Sequence, residues 1–79
     1  MKIIKTTFSS SSLIIAAEAN GKRNEFEIGN FDFTSKLNSA NKQRALREIL
    51  EGNALEISKR MNVTLGEAAQ AVARYLHPM

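Results

Sequence analysis

Asn20-Gly21 constrains this chain more than any other pair of residues in it. A two-residue hairpin turn of type I′ needs φ > 0 at both central positions, and Asn-Gly adopts it at little steric cost. Residues 13–19 before it and 22–28 after it are strand-like. A turn of two residues also leaves no slack in the register. Ala19 then faces Lys22, Glu18 faces Arg23, Ile15 faces Phe26 and Leu13 faces Ile28. One face carries Leu13, Ile15, Ala17, Phe26 and Ile28. The other carries Ile14, Glu18, Arg23, Glu25 and Glu27, with Glu18 opposite Arg23 adding about 0.2–1 kcal/mol.

An isolated hairpin is marginal in water, so a third strand is expected. Ile3, Ile4, Thr6, Thr7 and Phe8 supply a β-branched and aromatic run over residues 2–8, interrupted by Lys5. The serine quartet of residues 9–12 reads as the turn between them. Asn30-Phe31-Asp32-Phe33 closes this region as a strand end or as a cap over the core edge. Residues 34–40 are polar and read as a loop or a short helical turn.

From Asn41 the apolar period becomes helical, with Leu46, Ile49, Leu50, Ile57 and Met61 on one stripe. Gly52-Asn53 divides this stretch into two helices with Asn53 as N-cap and Glu56 at the fourth place, or is absorbed in one helix at about 1 kcal/mol. Thr64-Leu65-Gly66-Glu67 is a capping box opening a last helix, whose inner face is expected to hold Leu65, Ala68, Ala69, Val72 and Leu76. Pro78 ends it. The fold class is therefore α+β: an N-terminal antiparallel β-hairpin or three-stranded sheet followed by two or three C-terminal helices. Residues 1–79 make one domain, β-rich over 1–33 and helical over 41–77.

Composition removes whole classes of function. There is no cysteine among the 79 residues and one histidine, His77, so thiolate or histidine-rich metal sites and Ser/Cys–His–acid triads are not expected. No apolar run approaches the roughly 20 residues that span a bilayer. Lys2, Lys5 and Ala17-Glu18-Ala19 imitate a secretory signal, but the apolar run between them is short and follows four serines. No phosphate loop, nucleophile elbow or metalloprotease motif is present. Glu25 and Glu27 fit a solvent-facing strand, and His77 fits a helix end. The expectation is a non-enzymatic protein of the cytoplasm, with no cofactor, metal or membrane partner.

Eleven Lys/Arg against eight Asp/Glu give a net charge of +3, which favours an anionic partner. Lys42, Arg44 and Arg47 form one basic group, with Arg44 and Arg47 sharing a helix face. Lys59 and Arg60 form another, near a helix C-terminus whose dipole favours cations. These five residues are the candidate partner-binding patch.

The segment Ile57-Ser58-Lys59-Arg60-Met61-Asn62-Val63-Thr64-Leu65-Gly66-Glu67-Ala68 resembles the helix-turn-helix motif of DNA-binding proteins. Val63-Thr64 followed by Ala68-Ala69, Val72 and Arg74-Tyr75-Leu76 is similar to the second helix of ribbon-helix-helix repressors. The resemblance covers roughly a third of the chain and implies a dimeric transcriptional regulator with Gln70 and Arg74 reading DNA bases. Of the first turns, only Gln70 is a usual base reader, and Glu67 repels phosphate. Size, charge and architecture together are similar to those of phage and mobile-element inhibitors such as anti-CRISPR proteins. That likeness implies a monomer or homodimer, acting in a host cytoplasm, that binds and inhibits or modulates a protein or nucleoprotein complex that processes nucleic acid. This is the function expected first, and the DNA-binding regulator second.

Overall fold

The computed structural model describes residues 1–29, 31 and 39–78. Three antiparallel strands, β1 (Lys2–Phe8), β2 (Ser12–Ala19) and β3 (Lys22–Gly29), precede three helices, α1 (Ser39–Gly52), α2 (Ala54–Met61) and α3 (Leu65–Leu76). Among the described residues the sheet order is β1-β2-β3, with β1 and β3 at its edges. The arrangement is the α+β class expected from the sequence.

The hairpin register follows the turn. Asn20 and Gly21 have φ of 53° and 76°, and Ala19 pairs Lys22, Glu18 pairs Arg23, Ile15 pairs Phe26 and Leu13 pairs Ile28. Leu13, Ile15 and Ala17 are fully buried on the inner face with Ile28, while Phe26 packs against them half-buried. Gly29 pairs Ser12, and a Cβ there would lie 2.7 Å from the Ser12 Cβ. The serine turn is shorter than four residues, because Ser12 already belongs to β2.

β1 pairs β2 with an irregularity between Ile3 and Lys5. Strict alternation would put Ile3 and Lys5 on the same face. The extra residue, Ile4, resets the alternation, so that Ile3 points into the core, Lys5 pairs Ala16 on the outer face, and Thr6 and Phe8 face inward. Rows on the outer face then read Lys2–Glu18–Arg23, Lys5–Ala16–Glu25 and Thr7–Ile14–Glu27.

The helices cover the inner face. Ile49 and Leu50 of α1, Ile57 and Met61 of α2, and Ala68, Ala71 and Val72 of α3 complete the core, with Leu46 half-buried beside it. α3 packs on β1, and α2 packs on β2, β3 and α3. Phe31 caps the core edge, its N–H bonded to the Ser11 carbonyl at 2.8 Å. Asn30, Asp32, Phe33 and residues 34–38 lie outside the described residues, while Ser39 and Ala40 open α1.

Three local expectations are corrected. The chain does divide at Asn53, but the Asn53 side chain makes no N-cap bond; its Nδ2 donates to the Ile49 carbonyl at 2.7 Å and closes α1 instead. Glu56 pairs with Arg60 rather than completing a capping box. On α3 the buried stripe is Ala68, Ala71 and Val72, continued by half-buried Tyr75 and Leu76, whereas Leu65 and Ala69 are exposed. Thr64 caps α3 as expected, its Oγ1 accepting from the Glu67 N–H at 3.1 Å. The Glu67 carboxylate does not return to the cap: its Oε2 accepts from the Met1 ammonium at 2.7 Å.

Candidate functional site

The first basic group divides in a way that helix geometry explains. Gln43, Arg44 and Arg47 lie on adjoining helical positions and line a groove of about 330 Å³ with Leu76 and His77 at the end of α3. Lys42, one position round the helix from Gln43, is exposed but does not line it. Both arginines are exposed. Each has a glutamate four residues onward, Glu48 and Glu51, yet neither belongs to the ion pairs of the described residues. The carbonyl end of α3 lies at this groove, and a helix C-terminus favours cations without any ion pair. No Asp or Glu is among the described residues that line the groove. The two guanidiniums stand outside the ion pairs of the described residues, although the α3 carbonyl end offsets part of their charge.

The second basic group lies at another place. Arg60 lines a polar groove of about 490 Å³ with Ser10, Ser11, Ser12, Glu27, Asn53 and Glu56 among its neighbours. Its Nε is 3.4 Å from Glu56 Oε2, and its guanidinium carbon is 6.0 Å from the centre of the Phe26 ring. Glu27 accepts from Ser12 Oγ at 2.7 Å. With two carboxylates against one guanidinium, this groove is not a basic patch. Lys59, beside Arg60 in the last turn of α2, is exposed and complements the dipole. The five residues grouped from sequence therefore line no single surface: Arg44 and Arg47 share one groove, and Arg60 lines another.

α2 and α3 form a helix pair joined through Asn62, Val63 and Thr64. Asn62 is left-handed, at φ 58° and ψ 46°, and the Val63 N–H bonds to the Ser58 carbonyl at 3.0 Å. Leu65, Gly66, Glu67 and Gln70 are all exposed on α3. Gln70 and Arg74, one turn apart, are both exposed, but Arg74 also lines a groove of about 520 Å³ with Met1, Lys2, Ile3, Ala71, Tyr75 and Pro78. Sequence reasoning missed this groove, because it joins the first strand to the last helix and no local pattern connects them.

Among the described residues no three His, Cys, Asp or Glu side chains stand together to hold a metal ion, and no helix is long and apolar enough to cross a membrane. The chain matches no protein-family model, no curated protein and no solved structure.

Proposed function

We propose that the protein acts by contact alone, binding and inhibiting or modulating a nucleic-acid-processing complex, as phage and mobile-element inhibitors of the anti-CRISPR type do. The observation that carries this reading is the groove of Arg44 and Arg47: two exposed guanidiniums, unpaired with described carboxylates, over a described lining without Asp or Glu. Such a surface suits a phosphate or a carboxylate on a partner, and guanidiniums bind both through paired hydrogen bonds. The setting proposed is a host cytoplasm, with no chemistry or cofactor of the protein's own. Capture from a lysate with wild-type protein and with Arg44→Glu/Arg47→Glu tests it. One nucleoprotein complex should be retained by the wild type and lost by the double variant, with retention falling as salt rises. Equal retention by both proteins would remove the two arginines from the interface.

A second reading rests on the α2–α3 pair, whose short turn and Thr64 cap suit a helix-turn-helix regulator with Gln70 and Arg74 facing DNA. A gel shift that survives competitor DNA, and is lost on Gln70→Ala or Arg74→Ala, would move the assignment to that reading.

A further inference from the structure

The groove between β1 and α3 has a character unlike the other two. Ile3 and Ala71, both nearly fully buried, form its floor, and Tyr75 lines it half-buried with its hydroxyl bonded to Thr6 Oγ1 at 2.8 Å. Its described lining carries Lys2 and Arg74, both exposed cations, and the Met1 ammonium, which Glu67 Oε2 already engages at 2.7 Å. It also begins at an edge strand, since among the described residues β1 pairs with β2 alone. Edge strands offer backbone donors and acceptors to a second peptide chain, and alternate side chains of that chain then enter whatever pockets adjoin the edge.

We infer that this groove is the docking site for an extended acidic peptide of a partner protein, holding one apolar side chain between Ile3, Ala71 and Tyr75 while flanking carboxylates meet Lys2 and Arg74. This goes beyond the Arg44/Arg47 reading and does not rest on it. Charge complementarity selects the peptide's acidity: Lys2 and Arg74 rim the site outside the ion pairs of the described residues, and no Asp or Glu is among its described lining residues. The apolar floor selects a side chain, not a phosphate, as the inserted group. Judged by the described acidic residues, a second copy of the chain is the poorer occupant. The strand segment Glu25-Phe26-Glu27 packs its Phe26 on its own core. Glu18 lies on the central strand, and Glu48, Glu51, Glu56 and Glu67 are helical.

Fluorescence anisotropy tests the proposal, using a labelled peptide with a central Leu-Phe pair flanked on each side by two glutamates. A peptide with lysines for glutamates and a single-stranded oligonucleotide serve as competitors. The full chain should bind the acidic peptide saturably, and Lys2→Glu/Arg74→Glu should weaken binding at least tenfold. Lys22→Glu/Arg23→Glu changes the net charge equally on β3, away from the groove, and should leave affinity within about twofold. Circular dichroism of each variant checks that it is folded, and the single variant Arg74→Gln, expected to lose affinity less steeply, covers a misfolded double variant. Equal loss in both double variants would reduce the effect to net charge and overturn the site. Displacement by the oligonucleotide but not by unlabelled acidic peptide would reassign the groove to nucleic acid. Concentration-dependent dimerisation in light scattering, abolished by Lys2→Glu/Arg74→Glu, would give it to a second copy. None of these outcomes depends on Arg44 or Arg47, so this proposal and the preceding one can fail separately.

Discussion

Thr6 on β1 and Tyr75 on α3 share a hydrogen bond of 2.8 Å between their hydroxyls, across 69 positions of the chain. It ties the first strand to the last helix beside the groove just described. Tyr75→Phe keeps the ring in place and removes the bond, so the expected loss is about 1 kcal/mol. For a domain of this size that lowers the melting temperature by about 4–8 °C. Thr6→Val should cost a similar amount, and the two changes together barely more than either, because the partners are coupled. Urea unfolding of the four proteins measures the coupling; strictly additive losses would mean the two hydroxyls act independently.

Gly29 and Gly66 make opposite predictions from the same substitution. An alanine Cβ at Gly29 meets Ser12 Cβ at 2.7 Å, at the end of the β2–β3 ladder, so one strand must shift. The cost is expected at about 1–3 kcal/mol, as for other overpacked sites. Nothing lies within 4 Å of a Cβ at Gly66, in the first turn of α3. There alanine should stabilise by about 0.4–1 kcal/mol by narrowing the unfolded ensemble. Denaturation midpoints that move in the same direction for both variants would refute the packing argument at Gly29.

The hairpin was legible because a two-residue turn permits one register, and that register put every large apolar side chain of the hairpin except Ile14 on one face. The extra residue at Ile4 was not legible. Ile3, Ile4, Thr6 and Phe8 all suit a strand, and only pairing against β2 decides which residue is left over. The rotation of α3 was misread for a related reason. Ala68, Ala69, Ala71 and Ala73 spread weak hydrophobicity around the helix, so contact with β1 and α2, not periodicity, selects Ala68, Ala71 and Val72 for burial.

At the candidate site, the spacing of Arg44 and Arg47 correctly put them on one helix face. Their grouping with Leu76 and His77 is tertiary and left no trace in local sequence. The pairing of Lys2 with Arg74 across one groove is more remote still. Arg60 was misgrouped because charge alone does not reveal that Glu56 and the Phe26 ring already engage it.

Leu50 and Ile57 anchor α1 and α2 with no solvent exposure, whereas Leu65 is 51% exposed despite its place in the expected stripe. Leu50→Ala or Ile57→Ala should cost about 2–5 kcal/mol. That is a large share of the about 5–15 kcal/mol that holds a typical domain together. Leu65→Ala should change stability by no more than about 0.5 kcal/mol, as at other surface positions. Thermal melts of the three variants decide it: a Leu65→Ala loss comparable to that of Leu50→Ala would restore Leu65 to the core face.

The two helix-start residues also separate under one substitution. Thr64 is an acceptor, taking the Glu67 N–H from an extended backbone at ψ 157°, and aspartate accepts equally well at such a position. Thr64→Asp should therefore hold stability, while Thr64→Ala loses about 1 kcal/mol. Asn53 is a donor, its Nδ2 bonded to the Ile49 carbonyl, and its backbone at ψ 21° is not the extended form of a cap. An ionised aspartate accepts only, so Asn53→Asp sets a carboxylate against a carbonyl and should lose about 1 kcal/mol. Attraction between that charge and the start of α2 works in the other direction, by about 0.3–1 kcal/mol, and is screened by salt. Unfolding at high ionic strength isolates the lost bond, and an Asn53→Asp midpoint at or above that of the wild type there would make Asn53 a cap of α2 after all.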